Sequence, residues 1–324
     1  MSLRARLRNI TSDEGVLILD GGLATELEAQ GAQLQGDPLW SAGLLHSNPQ
    51  AIKAAHQSFL QNGADVITSA TYQATVRGFV QHLGVTCDAA RDLLASGFRL
   101  AEESARAFGS RRPPLVAASV GPYGAFLHDG SEYHGGYAEK MDIEELKAWH
   151  RPQLECLAAS GADVFALETV PSVKEAAALA ELLREFPNCD AWISFSCKDG
   201  TRLSDGTPFR DAVRAAGGSA QVLAVGVNCC PPEWVEPLLN SVAGLRSPER
   251  RWVVYPNSGE EWDSRRGWQT SEKMVIPALS GKWIKQGAAL IGGCCRVRPE
   301  QIGELRRRLK GRHPTEEADL KTER

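Results

Sequence analysis

The sequence predicts a single-domain α/β protein of the (β/α)8 TIM-barrel class. Three observations predict it. Eight short β-rich runs recur along the 324 residues. Helical patterns fall between them in regular alternation. Most runs are near-continuously apolar, as strands buried on both faces are, instead of alternating apolar and polar. A doubly wound open sheet is the rival, but it usually carries GxGxxG after its first strand. Here that turn reads DGGLATELE.

The strands are read in order as VLILDGG (16–22), DVITSA (65–70), LVAASVG (115–121), DVFALETV (163–170), AWISFSC (191–197), VLAVGVNCC (222–230), RWVVYPNSG (251–259) and AALIGGCC (288–295). The first helix spans 49–63 and stops at Gly63, a residue suited to a left-handed cap. A second, over 88–109, has a 3.6-residue apolar period. A third, over 142–161, opens on Asp142 as N-cap. The segment 172–186 opens on Ser172 with Glu175 three residues on, a capping-box pattern. Shorter helices fit 207–216, 231–243, 274–286 and 298–310. Residues 122–141, rich in Gly and Tyr, form a long loop of the kind that often serves as a lid. The barrel is expected over 14–311, with an N-terminal extension at 1–13 and a flexible charged tail at 312–324.

Bulk properties exclude several classes. The chain is 43% apolar with net charge −4, and no basic run is interleaved with aromatics, so no nucleic-acid partner is expected. No stretch of 18 apolar residues exists, so no membrane span is expected. The first residues carry arginines without an apolar run, which is not a secretory signal, and a cytoplasmic location is expected. Eight cysteines without a CxxC pair read as thiols, not as a disulfide framework.

In a (β/α)8 barrel the active-site groups come from the C-terminal ends of the strands. Strand one ends in Asp20. Strand two ends in Ser69, Thr71 and Tyr72. Strand four ends in Glu168 and Thr169. Strand six ends in Asn228, Cys229 and Cys230, and strand eight in Cys294 and Cys295. A lone NCC or GGCC would most often be packing cysteines. Two such clusters at one mouth point to metal. Three thiolates suit Zn2+ and leave a fourth, catalytic position open. So electron-rich a site favours binding a substrate thiol as thiolate over making hydroxide from water. Strand-end carboxylates commonly cap the next helix; beside such a metal, Asp20 and Glu168 can instead hold a substrate ammonium group. Ser69, Thr71 and Asn228 are further candidates for binding substrate.

DGGLATELE, GVNCC (226–230) and GGCCR (292–296), with ALETVPS (166–172) and YPNSGEEW (255–262), resemble the signature regions of the homocysteine S-methyltransferases. The resemblance runs from about residue 14 to about 310. It implies a zinc barrel with one Zn2+ per chain on Cys229, Cys294 and Cys295, Cys230 being an extra thiol. It also implies that Asp20 and Glu168 bind the amino-acid end of homocysteine. Family members that use betaine carry a tyrosine after the strand-four glutamate, where this chain has Thr169. That difference implies a sulfonium donor such as S-methylmethionine, with groups from Thr71, Gln73 and the 122–141 loop around it. Adenosylmethionine as donor and selenocysteine as acceptor stay open. A zinc-storage or redox thiol protein would leave Asp20 and Glu168 without a role. A zinc hydrolase would show strand-end histidines, which the seven histidines do not supply.

Overall fold

The structure, a computed structural model, describes residues 2–9, 15–110, 112–245, 247, 250–263, 267–269 and 275–311. Seven strands come first: β1 (Leu17–Ile18), β2 (Val66–Thr68), β3 (Leu115–Val120), β4 (Val164–Val170), β5 (Asp190–Phe195), β6 (Val222–Asn228) and β7 (Arg251–Tyr255). A small antiparallel hairpin, β8 (Glu261–Asp263) with β9 (Gly267–Gln269), follows, and then β10 (Ala288–Ile291). The eight strands other than the hairpin are parallel in the order β1-β10-β7-β6-β5-β4-β3-β2. A parallel bridge from Leu19 to Val66 joins the two ends, so the sheet closes into a (β/α)8 barrel. Each expected strand is present; the hairpin is an addition that the sequence reading did not contain.

Alternate residues along each strand divide between two cores, as a period of two requires. Leu17, Leu19, Val164, Ala166, Trp192, Val253 and Leu290 fill the barrel interior. Ile18, Ile67, Phe165, Leu167, Ile193, Val225 and Val254 pack outward under the helices.

The expected helices are present with shifts of up to four residues at their ends. Pro49–Gln61 precedes Gly63 at φ +94, and Ile143–Ala159 opens on a full Asp142–Glu145 capping box. The pattern at 172–186 is only half a box. The Ser172 hydroxyl accepts from the Glu175 amide, but the Glu175 carboxylate turns elsewhere. Helices Leu23–Ala29 and Val76–Leu83 were not expected; the second runs from Thr75 as N-cap to Gly84 in left-handed geometry.

Two segments depart from expectation. The N-terminal extension contains a helix, Leu3–Asn9, whose Leu3 and Leu7 join the barrel-interior cluster. Arg4 pairs with Asp190 at the start of β5, so this helix plugs the N-terminal end of the barrel. The 122–141 segment holds short helical turns at Tyr123–Leu127, Ser131–Tyr133 and Gly136–Glu139, with Tyr137 buried. Residues 10–13 and the tail 312–324 lie outside the described residues. No helix among the described residues is long and apolar enough to cross a membrane.

Candidate active site

A cleft of about 500 Å3 opens at the C-terminal ends of the strands, within the size range of small-molecule sites. Backbone strain gathers at its border. The described non-glycine residues in left-handed geometry are Trp40, His128, Thr169, Cys229 and Arg296. The first four line the cleft and Arg296 follows the lining residue Cys295. Each such residue costs on the order of 1–3 kcal/mol, which persists only where the surroundings enforce it.

At Cys229 the left-handed turn (φ +49) separates two adjacent thiols. Cys229 faces the cleft, whereas Cys230 is 1% exposed in the outer core. The Gly292–Gly293 pair lets two segments approach closely. Neither glycine has a positive φ; both are needed for space. A Cβ on Gly292 would lie 2.6 Å from the Asp20 carbonyl, and one on Gly293 would lie 2.2 Å from Val297. The chain can therefore press against β1 and deliver Cys294 and Cys295 to the mouth. Their amides are held by Pro256 O at 2.8 Å and Asn257 Oδ1 at 3.2 Å.

The three sulfurs converge. Cys229 Sγ lies 2.7 Å from Cys294 Sγ and 3.6 Å from Cys295 Sγ, and the three atoms are mutually within 4.8 Å. Tetrahedral Zn–S bonds of about 2.3 Å put sulfurs roughly 3.8 Å apart. The Cys229–Cys295 separation is already close to that, and Cys229 and Cys294 would have to part by about 1 Å. Its electrostatics also fit a cation. Hydrogen bonds from Cys229 and Cys294 hold the Cys295 thiol well below its usual pKa. Hydrogen bonding to Cys229 and Cys295, together with burial, pushes Cys294 up. The thiols stabilise one ionised member among themselves; a bound cation would let the others ionise.

Glu168 lines the same cleft. Burial pushes its pKa up to about 7, against hydrogen bonds from the Ser119 and Tyr255 hydroxyls. Asp20 is 4% exposed and stands behind the cleft wall. Its carboxylate accepts from the Thr68 amide at 2.7 Å and the Thr68 hydroxyl at 3.1 Å, yet burial pushes it up to about 8, with the Glu168 charge adding to the rise.

The other expected residues are less free. Ser69 lines the cleft, but its hydroxyl sits 2.6 Å from that of Thr71 and accepts from the Ser119 amide at 3.1 Å. Thr71 is fully buried behind the wall and donates to Ser119 O at 2.7 Å. Asn228 lines the cleft, and its amide grips Thr169. Oδ1 accepts from the Thr169 amide at 2.9 Å, and Nδ2 donates to the Thr169 hydroxyl at 2.8 Å. That grip satisfies a backbone donor freed where the β4–β5 register shifts. Gln73 also lines the cleft, with its amide nitrogen donating to Ala125 O at 2.7 Å.

The comparisons with known proteins agree with this geometry. The sequence profile of the family described as "Homocysteine S-methyltransferase" matches residues 17–309. The chain belongs to the homocysteine S-methyltransferase family. It is 42% identical to homocysteine S-methyltransferase 1 of Zea mays, covering 92% of this chain and 95% of that protein. It is 42% identical to a selenocysteine Se-methyltransferase of Brassica oleracea, covering 92% and 90%. It is 38% identical to a betaine-homocysteine S-methyltransferase of Drosophila melanogaster, covering 91% and 95%. The metallated form of the homocysteine methyltransferase MmuM from Escherichia coli superposes with TM-score 0.83 at 40% identity, covering 93% of this chain and 99% of that one. This methyltransferase acts on homocysteine, and its cysteine triad is the metal-binding site.

Sequence reasoning did not find Trp40, Glu132 and Tyr133, which line the cleft, or Asn257, which holds Cys295. The Tyr133 hydroxyl approaches Cys229 Sγ at 3.8 Å. The Gly- and Tyr-rich composition of 122–141 was the available signal, but composition cannot say which side chains turn inward.

Proposed function

We propose that the enzyme transfers a methyl group from a sulfonium amino acid, S-methylmethionine, to the thiol of homocysteine, using one zinc ion per chain on Cys229, Cys294 and Cys295. The observation that carries this reading is the shared cleft: the sulfur triad and the buried carboxyl of Glu168 open on one cavity. When bound, zinc supplies a fourth position that keeps the substrate thiol ionised near neutral pH. Glu168, with Asp20 behind it, holds the homocysteine ammonium and so points its sulfur at the triad. The thiolate sulfur attacks the methyl carbon. The new S–CH3 bond forms as the sulfonium C–S bond breaks, its electron pair stays on the donor sulfur, and that sulfur leaves as a neutral thioether. The thiol proton goes to solvent, and two methionines result.

Thr169 after Glu168 offers no ring to a trimethylammonium group. The cleft nevertheless contains Trp40, Tyr72 and Tyr133, whose faces attract any onium cation, so rings alone do not separate the donors. The sulfonium reading rests on Thr169 and on the polar groups available to a second amino-acid end.

Metal content and donor rates test the two halves separately. We expect about one zinc per chain, lost with activity in Cys229→Ser, Cys294→Ser and Cys295→Ser and retained in Cys230→Ser. A dispensable Cys229 would overturn the ligand assignment. At saturating homocysteine we expect the rate to fall from S-methylmethionine to adenosylmethionine and to be least with betaine. Betaine turnover matching that with S-methylmethionine would sink the donor reading and leave the metal site standing.

A further inference from the structure

We propose that Glu132 selects the methyl donor by binding the α-ammonium group of an amino-acid sulfonium. This rests on the sulfonium reading above and gives it a residue. Glu132 sits in the short turn Ser131–Tyr133 and lines the cleft beside Tyr133, the residue that reaches Cys229. Its backbone is fixed, since its carbonyl accepts from the Ser196 hydroxyl at 2.7 Å. A Cβ on Gly124 would lie 2.6 Å from its amide nitrogen, so the turn is packed tightly against the Tyr123–Leu127 helix.

One oxygen of the Glu132 carboxylate lacks what a buried anion needs. Oε2 is buried without a hydrogen-bond partner, and among the described residues no Lys, Arg or His forms an ion pair with Glu132. Leaving such an oxygen unpaired costs about 1–3 kcal/mol. A turn of the side chain that brings this oxygen to the cleft lets a ligand cation recover that cost.

A sulfonium amino acid is such a ligand. In-line transfer sets the two sulfurs on opposite sides of the moving methyl, so the amino-acid ends of acceptor and donor need separate partners. Asp20 and Glu168, at the ends of β1 and β4, serve the acceptor. Glu132, from the segment after β3, is left for the donor. The same charge rejects donors of another kind. An onium carboxylate without an amino group leaves Oε2 unpaired and brings a second anion into the cleft.

Glu132→Gln keeps the shape and removes the charge. We expect the KM for S-methylmethionine to rise at least tenfold in this variant, with kcat, zinc content and the KM for homocysteine nearly unchanged. Dimethylsulfonioacetate, a sulfonium acid with no amino group, is the control, assayed as donor or, without turnover, as competitive inhibitor. Its KM or Ki should stay level or improve. Glu132→Asp, which keeps the charge, should fall between wild type and Glu132→Gln and serves if the glutamine variant fails to fold. An equal loss with both sulfonium compounds, or a shift in homocysteine KM alone, would remove Glu132 from donor selection. Wild-type enzyme inactive with S-methylmethionine would defeat the donor reading itself and this role with it. Activity that ignores the Glu132 substitutions would defeat only the role.

Discussion

Glu168 and Asp20 are carboxylic acids placed where water cannot solvate their ionised forms. Burial raises them to about 7 and about 8. An ammonium ligand needs them ionised. Homocysteine binding should therefore strengthen as pH rises through that window, and its KM should fall between about pH 6 and pH 9. The stability sign is opposite. Both folded values lie above those of the unfolded chain, so the unliganded protein loses stability as pH rises towards about 8, and homocysteine should restore it. Glu168→Gln should raise the homocysteine KM by roughly 10–100-fold, the worth of a charge-assisted hydrogen bond, with zinc retained. It should also flatten the pH dependence, leaving the slopes that belong to Asp20 and the substrate thiol. A KM–pH curve with the same slope in wild type and variant would show that Glu168 does not meet the ammonium. These carboxylates and the cysteine clusters were legible in the sequence because strand ends can be read from apolar runs. Asn228 was legible as a position but not as a part. Its amide holds Thr169, and nothing in the linear order shows that β4 and β6 share a clamp.

At the scale of elements, the segment 122–141 is the clearest difference between expectation and structure. Without a periodic pattern it reads as a loop, and its length suggests a lid. In the structure it forms one wall of the cleft, with short helical turns and contacts to distant elements. Glu175 Oε1 accepts from the Tyr123 amide at 2.8 Å and lies 2.9 Å from His150 Nε2, while Oε2 accepts from the Tyr137 hydroxyl. Lys174 Nζ donates to Met141 O at 2.9 Å and also to Ala138 O. The capping pattern at Ser172 holds for its serine and fails for its glutamate. The tertiary network outcompetes a local bond that is worth less. Glu175→Ala should cost about 3 kcal/mol, since it strands several buried donors at once. Because Glu132 and Tyr133 ride on this wall, the KM for the donor should rise more than that for homocysteine. Thermal melting and steady-state kinetics measure the two effects. A destabilised variant with unchanged donor KM would separate the wall from the donor site.

The molecule as a whole divides its labour between the two ends of the barrel. Strained backbone, thiols and raised carboxylates gather at the C-terminal mouth. The opposite end carries the helix Leu3–Asn9, with Leu3 fully buried and Leu7 at 6% exposure against the interior side chains. Alternation of strands and helices was enough to read the barrel. It was not enough to read this plug, because a seven-residue arginine-rich helix has too short a pattern to separate from an unstructured extension. Its two leucines matter only once the open barrel end beneath them is known. Leu3→Ala should cost about 2–3 kcal/mol, the lost burial plus the cavity left in a closed barrel interior, and should lower Tm by several degrees. Homocysteine KM and zinc content should not change, since that end supplies no group to the mouth. Melting curves and kinetics on Leu3→Ala and on Leu3→Met, which refills the volume, decide the matter. If methionine restores stability while both variants keep wild-type KM, the helix is a plug. If either variant loses zinc, the plug and the mouth are coupled through the barrel interior, and the division between its two ends fails.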